Sequence, residues 1–151
     1  MRTYSGKLNK DNIPDNGIFV FGSNKIGING NPYKGTGGAA LVAQLEFGVK
    51  HGERMINKLS SSGKAYGLVT VHAPKNPLFK SQISENIKKL YDYASENPNL
   101  DFYIAYDGLD PNARSLNGYK RVELAELFSQ HIIPSNIIFE DNFLKLVSQY
   151  V

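Results

Sequence analysis

Asn24, His72 and Asp107 are the side chains best placed to do chemistry, because each stands where an apolar run breaks into a polar loop. Asn24 follows Ile18-Phe19-Val20-Phe21-Gly22-Ser23, His72 ends Tyr66-Gly67-Leu68-Val69-Thr70-Val71, and Asp107 follows Asp101-Phe102-Tyr103-Ile104-Ala105-Tyr106. An asparagine can both donate to and accept from a pair of hydroxyl groups. A carboxylate, an imidazole or an amide can hold a water against an electrophilic carbon or phosphorus. These three are the candidate catalytic residues.

The candidate anion donors lie in the backbone. Most of the chain's 14 glycines fall between Gly17 and Gly52, and the loop Lys25 to Gly38 leads into Ala39-Ala40-Leu41-Val42-Ala43-Gln44-Leu45-Glu46-Phe47, which reads as a helix. Buried strand, glycine-rich loop and helix start, in that order, suit an anion. Glycine lets the chain come close and take positive φ, while the unpaired N–H groups and dipole of a helix start favour phosphate. The common phosphate motifs fail at identifiable positions. Gly30-Asn31-Pro32-Tyr33-Lys34-Gly35-Thr36 has the glycine spacing of a P-loop, but Lys34 precedes the second glycine and Thr36 takes the lysine's place, which excludes a nucleoside triphosphatase. Gly35-Thr36-Gly37-Gly38 does not supply a dinucleotide fingerprint, and no Gly-x-Ser-x-Gly surrounds Ser23, which argues against a hydrolase nucleophile elbow.

The elements that must position these residues alternate along the chain. Thr3 to Leu8 reads as an edge strand, Ile18 to Gly22 as a buried strand, Gly38 to Gly48 as a helix, and Tyr66 to His72 as a second inner strand ended by Ala73-Pro74. Ser81 is placed to cap a helix whose apolar face is Ile83, Ile87, Leu90, Tyr91 and Ala94, with Asn97-Pro98-Asn99 as its stop. Asp101 to Tyr106 reads as a third strand, Asp107 to Gly118 as a loop, Tyr119 to His131 as a helix, Asn136 to Phe139 as a strand, and the chain from Asp141 as an amphipathic segment. Strands separated by helices predict a three-layer α/β/α sandwich around a mixed, mostly parallel sheet. In such sheets ligands bind beyond the carboxyl ends of the strands. The loops Gly22 to Gly37, Ala73 to Lys80 and Asp107 to Gly118 would all lie there.

Composition sets the outer limits. A chain of 151 residues, 41% hydrophobic, predicts one domain over 1–151. The lack of cysteine removes disulfides and thiol chemistry, and no apolar run approaches the roughly 18 residues of a membrane helix. A cytoplasmic protein without a membrane partner is expected. The formal charge of +3 is spread without a basic run, so nucleic acid is not expected as a partner. His51, His72 and His131 stand far apart with no ligand-like neighbours, so no metal and no cofactor is expected.

Several motifs carry a resemblance. Phe19-Val20-Phe21-Gly22-Ser23-Asn24, the turn Gly35-Thr36-Gly37-Gly38-Ala39-Ala40, Phe47-Gly48, Leu116-Asn117-Gly118-Tyr119 and Leu124-Ala125-Glu126-Leu127-Phe128 resemble a group of small bacterial and phage proteins related to macro domains. Macro domains bind ADP-ribose, and some hydrolyse ADP-ribosyl bonds or the phosphate of ADP-ribose 1″-phosphate. The resemblance implies a macro-domain-like fold with an ADP-ribose-type ligand or an ADP-ribosylated substrate. It implies Asn24 at the distal ribose, Gly35, Gly37 and Gly38 as a first phosphate loop, and Gly108, Asn117, Gly118 and Tyr119 as a second, with the tyrosine covering the ribose; Gly22, Ser23 and Thr36 are further candidate ligand-binding residues. The family's Gly-Asp-Ile element has Asp15 as its nearest counterpart, and Asp110 to Ser115 stands as an insertion. Two activities follow as alternatives: an ADP-ribosyl hydrolase or ADP-ribose 1″-phosphate phosphatase, and a non-catalytic binder that sequesters a nucleotide signal. Each residue also has a structural reading, with the glycines as tight turns, Asn24 as a loop cap, His72 as a hydrogen-bond partner, Asp107 as a turn residue, Tyr119 as a packing residue and Arg114 in solvent.

Overall fold

The computed structural model describes residues 1–26, 38–73 and 75–151. Its strands are β1 (Thr3–Tyr4), β2 (Gly17–Asn24), β3 (Lys58–Leu59), β4 (Ala65–Ala73), β5 (Asn76–Pro77), β6 (Asp101–Ile104) and β7 (Ile137–Glu140). Its helices are α1 (Gly38–Glu46), α2 (Lys80–Glu96), α3 (Arg121–Phe128) and α4 (Asp141–Ser148). The seven strands form one mixed sheet in the order β1-β7-β6-β2-β4-β3, with β5 paired to β4. Strands β1, β7, β6, β2 and β4 run parallel, and β3 and β5 lie antiparallel to β4.

Strand β2 is central, and its sequence explains why. A continuous apolar run suits a parallel strand covered on both faces. Ile18 and Val20 join the larger core with residues of α2, α3 and α4, while Phe19 and Phe21 join a second cluster with Ala43 of α1, Phe47, Val49 and Met55. Successive side chains of one strand therefore serve opposite faces. On the α1 face the Phe19 and Phe47 rings stack at 4.5 Å between centroids and 11° between planes. On the other face the expected stripe of α2, from Ile83 to Ala94, is buried throughout.

Register places Gly17 opposite Asp101 and Phe19 opposite Ala65, so β2, β4 and β6 finish on the same side of the sheet. A bulge between Ser23 and Asn24 shifts the pairing with β4 at the last residue, so Asn24 lies opposite Val71.

Several boundaries differ from the sequence reading by a residue or more, and α3 runs Arg121–Phe128 where a helix from Tyr119 to His131 is expected. The edge strand is two residues long rather than reaching Leu8. Strand β6 stops at Ile104, because the Tyr106 ring turns inward onto Phe128 and Phe143, at 6.2 and 6.1 Å. Helix α2 is capped at Phe79, not Ser81. Phe79 has no side-chain acceptor, so the end is held from inside the helix, where Gln82 Oε1 accepts the Phe79 N–H at 2.9 Å. Ser81 sits within the first turn and stays exposed.

Candidate functional site

The carboxyl end of the sheet is where the chain leaves β2, β4 and β6, and the central feature there is a hydroxyl that the sequence reading did not single out. Tyr106, two residues past β6, lays its ring over the aromatic core and brings its Oη to Gly22. A Cβ added at Gly22 would stand 2.7 Å from that oxygen and 3.4 Å from Thr70 Oγ1. Only a residue without a side chain admits the phenol here. Asn117 Nδ2 approaches the same hydroxyl at 3.4 Å. Burial pushes the Tyr106 hydroxyl up to about 12, opposed in part by the Arg121 charge and by hydrogen bonding with Thr70 and Asn117. It is therefore a neutral hydroxyl at physiological pH, and it accepts from Asn117 Nδ2.

Arg121, the first residue of α3, lies beside this group. Its guanidinium carbon is 5.8 Å from the Tyr106 ring centroid, and its Nη1 donates to Ser115 Oγ. The turn before it is closed by the Gly118 N–H donating to Ser115 O at 2.8 Å and by Arg114 Nη1 donating to Gly118 O at 2.7 Å. Arg114 is thus part of the turn's own framework. At the tip, Leu116 is 76% exposed, and its Cδ1 would lie 2.9 Å from a Cβ at Gly38, the first residue of α1. The loop after β6 and the helix start after β2 therefore meet across the sheet end. The first turn of α1 carries no acidic side chain to offset its dipole.

The residues expected at a ligand divide into groups. Gly22, Ser23, Asn24, Gly38, Asn117 and Gly118 all lie at this end, with Ser23, Asn24 and Asn117 buried. Asn24 Oδ1 accepts the Ile26 N–H at 3.1 Å, and Asn117 Oδ1 accepts the Tyr119 N–H at 3.0 Å. Gly35, Thr36 and Gly37 lie outside the described residues. Gly108 turns the other way. Its N–H donates to Glu140 Oε1 at 2.8 Å, and a Cβ there would stand 2.5 Å from the backbone of Asn142, so this glycine is packed against the start of α4. Tyr119 donates its hydroxyl to Leu78 O at 2.6 Å and packs against the larger core.

The three candidate catalytic residues show modest equipment. Asp107 Oδ1 accepts the Leu109 N–H at 3.2 Å, a local turn bond. His72 is half-buried near the end of β4, two residues beyond Thr70. Asp15, the nearest counterpart of the family's adenine-reading aspartate, lies at the opposite end of the sheet, lining a separate cavity of about 240 Å³ with Lys10, Phe47, Gly48, Ser62 and Lys64. Among the described residues no three His, Asp or Glu side chains gather as a metal site, and no helix is long and apolar enough to cross a membrane.

Thr70, Tyr106 and Arg121 are residues of this candidate site that sequence reasoning did not single out. A polar residue late in each of two inner strand segments was the available signal, but only register shows that both meet over Gly22. Comparison with protein families, curated proteins and solved structures finds no match to this chain.

Proposed function

We propose that this chain binds ADP-ribose or a related ADP-ribosyl nucleotide at the carboxyl end of its sheet. The observation that carries this reading is the contact of Leu116 with Gly38, which sets the loop after β6 across from the helix start after β2. At the same end of the sheet Asn24 and Asn117 bring neutral amide groups and Tyr106 a neutral hydroxyl, group types that can bond sugar hydroxyls. The α1 N-terminus, free of acidic residues in its first turn, favours a diphosphate. Proteins resembling macro domains supply the ligand class, and the motifs quoted above are what link this chain to them.

Binding without chemistry fits the geometry best. Asp107 and Asn24 each give a side-chain oxygen to a nearby backbone N–H, which argues for holding loops rather than activating water. Hydrolysis of an ADP-ribosyl or 1″-phosphate bond is the second reading, and it rests on His72, the ionisable side chain that lies next to Thr70 in the same strand row. Isothermal calorimetry with ADP-ribose tests the shared premise, since absence of heat at millimolar ligand removes it. Incubation with an ADP-ribosylated protein and with ADP-ribose 1″-phosphate separates the readings. Unchanged substrates after prolonged exposure leave the binder.

A further inference from the structure

Among the described residues, one buried side-chain nitrogen lacks a hydrogen-bond partner, the Nε of Arg121. Buried polar groups in folded proteins are almost always paired, and an orphan on a permanently charged guanidinium is costly to keep. Elsewhere on the group, Nη1 donates to Ser115 Oγ and the guanidinium carbon lies 5.8 Å from the Tyr106 ring centroid. The ion pairs among the described residues join Arg2 to Asp101, Lys80 to Glu123 and Lys88 to Asp92, and none neutralises Arg121. The same ring that supports the guanidinium carries its hydroxyl to Gly22 at the end of β2.

We infer that Arg121 is the charged anchor of this site, its guanidinium taking a phosphoryl oxygen of the bound nucleotide. The inference rests on the nucleotide-binding reading above and adds to it a fixed positive charge that backbone donors do not provide. A guanidinium is suited to the task because its fork of N–H groups matches phosphate oxygens in two-point contact, which an ammonium cannot reproduce.

The test uses the full chain labelled with ¹⁵N and two probes, inorganic pyrophosphate and ADP-ribose. The Nε–H resonance of Arg121 is assigned by its disappearance in Arg121→Lys. A saturable shift of that resonance with both probes is expected, and calorimetry should show pyrophosphate binding at least tenfold weaker in Arg121→Lys, whose dispersed amide spectrum confirms the fold. If ADP-ribose moves the amides of Gly38 and Asn117 while the Arg121 Nε–H stays in place, the inference is overturned and the nucleotide site stands. An Arg121→Lys variant that binds pyrophosphate as tightly as the parent overturns it as well. If neither probe moves any resonance at this end of the sheet, the inference and the nucleotide reading fall together.

Discussion

At the amino end of the sheet, one side chain ties three backbone segments: Asn136 Nδ2 lies 2.8, 2.9 and 3.1 Å from the carbonyl oxygens of Ala94, Leu100 and Asn97, which share its two N–H groups, and the residue is 6% exposed. Beside it Arg2 forms a two-point bond with Asp101 at 2.7 and 2.9 Å, and Asn16 Nδ2 donates to Asn99 O at 3.2 Å. At the carboxyl end side chains also bond one another, around Tyr106, Asn117 and Arg121, and Leu116 and Phe79 each stand 76% exposed. The first arrangement ties backbone segments through Asn136 and Asn16 and pairs its charges, Arg2 with Asp101, and so stabilises the fold. The second leaves a charged nitrogen unmatched and apolar surface in water, both of which cost stability unless something else covers them.

That contrast can be broken by mutation. The largest effect belongs to Asn136→Ala, which removes two buried N–H donors shared among three carbonyls, of which Ala94 O and Asn97 O keep a backbone N–H. A loss of about 3 kcal/mol is expected, which for a chain of this size lowers Tm by about 6 to 12 °C. Thermal unfolding followed by circular dichroism measures it, and ADP-ribose affinity should be unchanged in the folded variant. Next comes Gly22→Ala. The new methyl group would meet the Tyr106 hydroxyl at 2.7 Å and push the ring off the core, costing about 1 to 2 kcal/mol of stability. Its ADP-ribose affinity should fall at least tenfold in calorimetry, and a variant that binds normally would mean the hydroxyl lies outside the site.

Smaller is the acid dependence of the amino end. The hydrogen bond from Arg2 is the main cause holding the Asp101 carboxyl below its ordinary value, with the guanidinium's charge and Asn16 assisting against burial. Because the folded value is depressed, the stabilisation is complete above the unfolded carboxyl range near about 3.9 and fades as pH falls through the lower folded value. The Tm gap between the parent chain and Arg2→Gln should stay constant around neutral pH and close below about pH 4. A gap that persists in strong acid would mean that packing rather than charge holds the tether. The smallest effect is expected of Leu116→Ser, within about 0.5 kcal/mol in chemical denaturation, as for a surface position. A loss well beyond that would make Leu116 a core residue and erase the contrast between the two ends.

The elements of the fold were legible wherever hydrophobic period alone decides. The stripe Ile83, Ile87, Leu90, Tyr91 and Ala94 and the run Ile18 to Phe21 carry their own geometry, and the structure buries both. Signals that depend on competition between neighbours were harder to read. Ser81 has the right chemistry for a cap, yet Gln82 satisfies Phe79 from inside the helix and the start moves back. Tyr106 looked like the last residue of a strand because its type suits one, and only the aromatic core of Phe128 and Phe143 draws it out of line. At the site, Asn24 was legible because strand ends in a parallel sheet gather at one side. Thr70 and Arg121 were not, since Thr70 reaches Tyr106 through the pairing of β2 with both β4 and β6, and Arg121 through the bonds of the turn before α3 to Ala113 and Ser115, which no spacing along the chain encodes. Tyr119 shows the converse. Its type suited a sugar contact, and its hydroxyl is committed to Leu78 O.

Glu140 caps α4 with a carboxylate that is 4% exposed, accepting from Asn142 N at 2.9 Å and Phe143 N at 3.1 Å, and the same group takes the Gly108 N–H at 2.8 Å. A single anion thus fastens two segments that lie more than thirty positions apart. Neither can loosen without the other losing a charged partner, so the first turn of α4 and the base of the loop after β6 form one opening unit. In hydrogen exchange the amides of Gly108, Asn142 and Phe143 should share one protection factor, distinct from the amides at the Leu116 tip of the same loop.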